Sequence, residues 1–540
     1  MKGLFLFNGK IYTMDPKNPY TSALAIQERK IVAVGKNTQI KDRIPRGFKA
    51  IDLKGKTVLP GFIDSHTHFV HFASNLDQIE LKGVKSEKEL ALKIKSKAKS
   101  LKRDRWLFGR GWDKNIFKDK SLRSILTIFH KKTLDKVLPQ IPVALKSKDG
   151  HVFWLNSLAL KILGIDKYTL SPSGGEIEKD ISTSEPTGLL KENACELVDS
   201  ALGGNVAKKV NEKRMEKLFA QATEIAHRDG IVGVHDCGGE KSFETHERFL
   251  FERKLLLRVF CMIEKKDLDS AIKIGFKTGF GNDFLKLESL KLYSDGTLGS
   301  QTALMFQPFE GSKDNYGMEV TPEKELTGLV RKANAKGISV AIHAIGDKGV
   351  NQTLNSFEKS GSYPMGLRNR IEHIQLVHPD DIRRFAKLNV IASVQPLHAT
   401  SDRDIADKYW GKRCRYAYPY KTLLENGAKL CFGSDLPVED FSPLKGIYAA
   451  VTRKREDERR GSWYPFERVS VEEAVYAYTL GGAYASGDEE LKGSIQPGKL
   501  ADLVVLSRDI FKTSPEAILK TKVLATIFDG RIVWGKENIF

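Results

Sequence analysis

Two histidines one residue apart, His66 and His68 in PGFIDSHTHF, are the first pair whose type and spacing could do chemistry. Side chains at i and i+2 of a strand project to one face, so two imidazoles there can meet a single ion. Alone the pair is a weak signal, because a solvated strand face carries His-X-His by chance. Further along, short apolar runs end in residues of the same kind. His235 and Asp236 close GIVGVHD, Lys291 sits in LESLKLYSD, His343 in GISVAIHAIGD, His373 in RNRIEHIQ, and Asp435 ends AKLCFGSD. Five of the 12 histidines thus stand at the ends of apolar runs. Nitrogen and oxygen donors in this mixture suit a borderline divalent ion such as zinc, with one position left for water. Such an ion lowers the pKa of bound water towards about 7 and polarises a carbonyl oxygen. Asp435 suits a metal-adjacent carboxylate that takes the water's proton, so the chemistry indicated is hydrolysis.

The elements that must position these residues follow from the apolar pattern. Eight strand candidates, TVLPGFIDSH, GIVGVHD, LLLRVFCMI, LESLKLYSD, GISVAIHAIGD, RNRIEHIQ, NVIASVQP and AKLCFGSD, alternate with amphipathic stretches such as NEKRMEKLFAQATEIAHRD and PEKELTGLVRKANAK. Eight β/α units are the count for an α/β fold of the TIM-like (β/α)8 barrel type, in which the C-terminal ends of all strands share one mouth. A doubly wound open sheet is the alternative, but no Gly-X-Gly-X-X-Gly follows the first strand. The barrel is expected over residues 59–487, with a long insertion at about 75–205. Both ends of the chain read as short strands and turns, with NGKIYTM as a hairpin near the start and DGRIVWG near the end. They are expected to meet in one small β-sandwich domain, residues 1–58 with 488–540.

Several stretches carry a specific resemblance. PGFIDSHTH, LKLYSDGTLGSQTA, HAIGD, RIEHIQL, SVQPLHATSD, GSDLPVEDFSPLKGIYAAVTR and GSIQPGKLADLVVL resemble the amidohydrolase superfamily, in particular its branch of N-substituted formamide deformylases and exoenzyme regulators. The resemblance runs over nearly the whole chain. It implies that His66 and His68 bind a metal, that His343 and His373 serve a second or adjacent position, and that Asp435 is both ligand and proton carrier. Lys291 matches the place of a lysine that several branches carbamylate to bridge two metals; its alternative is a charged lysine paired with a carboxylate such as Asp295. Glu192 in PTGLLKENA is a further candidate oxygen ligand. The cofactor expected is one or two divalent ions per chain, zinc first, with carbamylated Lys291 as an added feature.

Trp112, His151 and Trp154 come from the insertion, where aromatic and polar residues together suit a small-molecule pocket, while packing in a core is the alternative for the tryptophans. His235, Asp295 and His398 complete the substrate-binding candidates, His235 having a hydrogen-bonded core role as its alternative and Asp295 that of a plain turn. His71, His130, His227, His246 and His378 are expected to be surface or core histidines. The reaction expected is cleavage of a C–N bond in a non-peptide amide, formamide or cyclic amide. Heterocycle deamination is the nearest alternative, but it usually needs a glutamate three residues after the fifth-strand histidine, where Gly346 stands. A regulatory binding protein without turnover is the alternative of another class.

Composition narrows the partners. The 540 residues carry a net charge of +19, but the lysines are spread out, and concentrations such as LALKIKSKAKSLKRDR read as one solvated helix face, so nucleic acid is not the expected partner. No apolar run approaches the roughly 20 residues of a membrane span, which argues for a soluble protein. Five scattered cysteines suit a reduced, cytoplasmic interior better than a disulfide framework. A small-molecule substrate is expected, and a homo-oligomer is left open.

Overall fold

Apolar runs that end in polar residues become strands covered on both faces when helices pack outside them and side chains fill the inside. The computed structural model describes residues 3–45, 47–99, 101, 106–116, 128–201, 212–361, 366–456 and 460–538. The chain divides into two compact units, one of Met1–Ala73, Phe219–Ser294 and Pro322–Phe540, the other of Ser74–Leu218 and Asp295–Thr321.

The first unit contains all eight expected strands in one parallel sheet: β1 (Phe62–Thr67), β2 (Ile231–Asp236), β3 (Arg258–Glu264), β4 (Leu285–Tyr293), β5 (Ser339–Ala344), β6 (Arg370–His373), β7 (Ile391–Val394) and β8 (Leu430–Phe432). They pair in chain order from β1 to β8. Backbone bonds just beyond the strand ends then join first to last, as Asp435 N donates to His66 O at 2.8 Å and His68 N to Leu436 O at 2.8 Å. The sheet is thereby the closed barrel of a TIM-like α/β fold. Helices Glu323–Ala335 and Asp347–Lys359 each bury one stripe of residues, Leu326, Val330 and Ala333 on the former, Val350, Leu354 and Phe357 on the latter.

Two further sheets of this unit are built from the chain ends. Leu4–Phe7, Ala23–Gln27, Lys30–Gly35 and Lys49–Asp52 form one. The other sets Lys10–Tyr12, Tyr20–Thr21 and Thr57–Pro60 beside Leu503–Leu506, Val523–Phe528 and Arg531–Trp534. The two sheets share a core of Leu6, Leu24, Val58, Leu503 and Ile527. One local expectation fails here. DGRIVWG is a true hairpin, but NGKIYTM is not, because the strands on either side of Asn8-Gly9 lie in different sheets. The backbone explains it. Asp529 and Gly530 both have positive φ, as a tight two-residue hairpin requires, whereas at Asn8-Gly9 only Asn8 does.

The second unit has its own six-stranded mixed sheet, in the order Gly175–Lys179, Pro186–Glu192, Val152–Leu155, Val143–Ser147, Leu107–Trp112 and Ile79–Glu80. Helix Glu87–Ala98 begins at Ser86, whose hydroxyl accepts from Glu89 N, and it buries Leu90 and Ile94, leaving its lysines outward. Residues 100 and 102–105, the end of the basic stretch, and 202–205, the end of the expected insertion, lie outside the described residues. The segment Asp295–Thr321 after β4 belongs to this unit as well, which the strand pattern did not anticipate.

Arg258 of β3 ties the barrel to the terminal sheet. Buried, it donates from Nε to Asp502 Oδ2 at 2.5 Å and from Nη2 to Asp502 Oδ1 at 3.0 Å and Asp529 Oδ1 at 2.9 Å. Removing one member of a buried pair leaves the other charge uncompensated. Arg258→Met is therefore expected to destabilise the fold by roughly 3–5 kcal/mol, seen as an earlier thermal or urea transition, whereas Arg531→Met on the exposed hairpin strand should leave the transition in place.

Candidate metal centre

The centre is assembled at the seam where β1 meets the end of β8. Asp64, two residues before His66, accepts from His66 N at 3.2 Å and from Ser434 N at 2.9 Å, pinning both strand ends. Burial pushes Asp64 up to about 7 despite these bonds. Asp435 leaves β8 with φ of +58°, a left-handed backbone that non-glycine residues adopt at some strain. His373 also turns out of its strand, with φ of +73°. Both deviations are at residues whose side chains converge.

Asp435 Oδ1 lies 3.6 Å from His66 Nε2 and 3.6 Å from His68 Nε2, while its Oδ2 accepts from His398 Nε2 at 3.2 Å. Donors that each stand about 2.0–2.1 Å from a tetrahedral ion are themselves about 3.3–3.4 Å apart. The observed spacings match that span. Two sets have ligand atoms all within 4.8 Å of one another, His66 with His68 and Asp435, and His373 with His398 and Asp435. The charge states also suit an ion. Burial, with Lys291 nearby, lowers His66 to about 4, and burial with the His343 and His66 rings beside it lowers His373 well below the usual histidine range. Both rings are neutral near pH 7 and carry a free lone pair. Burial works to raise Asp435, but hydrogen bonds from His398 and His68 outweigh it and hold the carboxyl well below its usual range.

Register places the remaining strand-end residues. Tyr293 stands opposite His343, and Ala344 opposite His373, which brings the His343 and His373 ring centroids to 4.5 Å. Lys291 of β4 is buried, and its Nζ has no hydrogen-bond partner, so the Lys291–Asp295 pair considered from sequence is not formed. A buried ammonium left in this way is costly, and it is the kind of group that a metal-bridging carbamate would replace. The donor spacing, the neutral rings and the orphaned Nζ together fit a divalent ion.

Groups that sequence reasoning missed hold these donors from behind. His66 Nδ1 donates to Glu372 Oε2 at 2.5 Å, and Glu372 Oε1 lies 2.5 Å from Arg370 Nε. Burial tends to raise Glu372, but Arg370 and His66 hold it well below the carboxylate norm. His373 Nδ1 donates to Gln395 Oε1 at 2.8 Å. A signal for this layer was present. Arg370 and Glu372 sit two apart in a strand buried on both faces, where an unpaired charge is not tolerated.

Other candidates lie elsewhere. His235 is wholly buried, with Nδ1 2.9 Å from Glu288 Oε1 and 2.8 Å from Arg370 Nη1, which is the core role and not a substrate contact. Trp112 and Trp154 pack with Phe129 in the core of the second unit, Trp112 Nε1 donating to Leu145 O at 2.9 Å, so neither offers a face to a ligand. In that unit His151 Nδ1 donates to Glu192 Oε2 at 2.6 Å, and Thr302 Oγ1 donates to Glu192 Oε1 at 2.6 Å. Glu192 thus has both oxygens engaged inside its own unit. Burial opposes a charge on His151, but Glu192 and Asp149 raise it to about 9. Asp295 is buried and accepts from Leu304 N at 2.9 Å. Of the histidines expected in bland roles, His246 donates to Asp236 at 2.8 Å, His227 to Leu256 O at 2.8 Å, and His130 caps a helix. All five cysteines are buried and free, and no described helix is long and apolar enough to cross a membrane.

Comparison with known proteins gives a consistent result. The sequence profile of the Amidohydrolase family matches residues 49–534. The chain is 34% identical to the Arabidopsis thaliana protein LONG AFTER FAR-RED 3 over 98% of its length and 91% of that protein's. It is 30% identical to the putative amidohydrolase YtcJ of Bacillus subtilis, over 98% and 99%, and 26% identical to the N-substituted formamide deformylase of Arthrobacter pascens, over 98% of each chain. Among solved structures, an uncharacterized metal-dependent hydrolase from Pyrococcus horikoshii superposes with a TM-score of 0.76 at 29% identity, covering 95% of this chain and 99% of that one.

Glu372 fixes the ring orientation and proton position of His66, and such partners typically contribute 10–100-fold to metal affinity. Glu372→Gln is expected to weaken the ion by about that factor, read by competition with a chromophoric chelator. An unchanged affinity in folded Glu372→Gln protein would show that the carboxylate serves packing alone.

Proposed function

The chain belongs to the amidohydrolase family, and on that premise we propose that it is a zinc-dependent hydrolase of a C–N bond in a non-peptide amide, formamide or cyclic amide. The observation that carries this reading is the convergence of His66 Nε2 and His68 Nε2 on one oxygen of Asp435, with His398 on the other. The name of the Arthrobacter relative, a formamide deformylase, supports the choice of bond. Gly346 supports it from the other side. It precedes helix Asp347–Lys359 at the position where a deaminase needs a glutamate, and glycine has no group to protonate a ring nitrogen.

His66, His68 and Asp435 are the residues to hold the ion, with His343, His373 and a carbamylated Lys291 available for a second. A divalent ion held there polarises the scissile carbonyl and makes water acidic enough to attack at neutral pH. The chain's own part centres on Asp435. Its carboxylate, kept ionised, takes the proton of the attacking water and passes it to the nitrogen as the C–N bond breaks. His398, donating to Oδ2, fixes the plane of that carboxylate and leaves Oδ1 towards His66 and His68. Glu372 and Gln395 hold the rings of His66 and His373 in single orientations, so the donors do not reorganise during turnover.

Purified protein is expected to carry one to two divalent ions per chain and to lose hydrolysis of N-formyl or N-acyl amines on chelation, with recovery on adding Zn²⁺. Full turnover by metal-free protein refutes the reading. Asp435→Asn should keep the fold by circular dichroism and lower turnover by roughly 10²–10⁴-fold, the usual weight of a general acid–base group. The readout is release of formate or carboxylate, and near-normal release by the variant removes Asp435 as the proton carrier.

A further inference from the structure

We propose that His373, His398 and Asp435 form a second cation position, with Asp435 bridging it to the His66–His68 position through one oxygen each. This rests on the reading of His66, His68 and Asp435 as an ion-binding set and deepens it. It differs from what the family resemblance implies, which is a second position built on His343, His373 and Lys291.

The geometry distributes the two oxygens of Asp435 between two groups of imidazoles. Oδ1 is the atom 3.6 Å from both His66 Nε2 and His68 Nε2, and Oδ2 is the atom 3.2 Å from His398 Nε2. The donor atoms of His373, His398 and Asp435 lie within 4.8 Å of one another, and all three residues are buried. Their orientations are fixed by bonds at the far ring nitrogens. His373 Nδ1 donates to Gln395 Oε1 at 2.8 Å, which leaves the lone pair on Nε2. His398 Nδ1 faces Asp402 Oδ2 at 3.8 Å, so Nε2 is the nitrogen presented to Asp435. The platform is rigid as well. His398 and Gln395 are three residues apart around the start of helix Pro396–Ser401, and Tyr420 Oη donates to Gln395 O at 3.1 Å. The 3.2 Å contact now bridged by a proton has the span of two donors on one tetrahedral ion, so an ion can take the proton's place with little movement. A carboxylate that bridges two ions about 3.5–4 Å apart is the arrangement of two-metal hydrolases.

The test uses full-length protein, stripped of metal and titrated with Zn²⁺, bound metal being counted per chain. Wild type is expected to hold two ions and His398→Ala one, the remaining ion keeping its affinity within about threefold. His398→Glu, which restores an oxygen donor, is expected to regain the second ion. In the wild type, saturation with Mn²⁺ should give the exchange-coupled spectrum of a carboxylate-bridged pair, a readout that does not depend on a variant folding. One ion per chain in the wild type, an uncoupled six-line Mn²⁺ spectrum at saturation, or two ions retained by His398→Ala overturns the proposal. A single bound ion leaves the hydrolase reading standing, whereas a protein that binds no ion removes both.

Discussion

Closure of the barrel between its first and last strands is the constraint on which the site depends. The two bonds that cross this seam, Asp435 N to His66 O and His68 N to Leu436 O, use the backbone of the candidate ligands themselves. A shift of one residue at the seam would turn His66 and His68 to the opposite face, because side chains alternate along a strand. Asp64 guards against that shift by accepting from His66 N and Ser434 N together. The positive φ of Asp435 follows from the same crossing, since the chain must leave β8 and still return its carboxylate over the end of β1. Fold closure and donor placement are therefore one event.

Burial at that seam has an electrostatic consequence. Imidazoles and carboxylates removed from water resist charge, and the structure answers with pairs that lead away from the centre. His66 leans on Glu372, Glu372 on Arg370, and Arg370 on Glu288 and His235. The chain of contacts lets His66 stay neutral while the anions behind it stay charged. Lys291 Nζ is the member left without a hydrogen bond, and it lies on the strand next to His343. An interior of this kind is organised for donors to an ion more than for stability alone, since apolar residues of similar volume would pack the barrel more cheaply.

Much of the fold was legible because its determinants are local. Each of the eight strands is an apolar run with a polar end, and the helices between them carry a 3.6-residue stripe. The hairpin at Asp529-Gly530 was readable for the same reason, as two adjacent residues able to take positive φ. The like-looking Asn8-Gly9 was misread because the choice between a hairpin and a crossing to another sheet depends on where the following strand finds its partner. The tryptophans of the insertion show the same limit. Trp112 and Trp154 beside polar residues read equally well as pocket or core, and only the six-stranded sheet under them decides for the core.

The sequence by itself determined the chemistry on offer: two histidines two apart, further histidines and an aspartate at the ends of apolar runs, and a lysine among them. Those assignments rest on residue type and on strand periodicity, both of which are properties of a few neighbouring residues. Only the tertiary structure decided how the donors are shared out. Which oxygen of Asp435 faces which imidazole, that Glu372 and Gln395 hold the rings, and that His398 reaches Asp435 while His235 turns into the core all depend on contacts between residues far apart in the chain. Strand order and the register of closure set those contacts, and no short stretch of sequence encodes either.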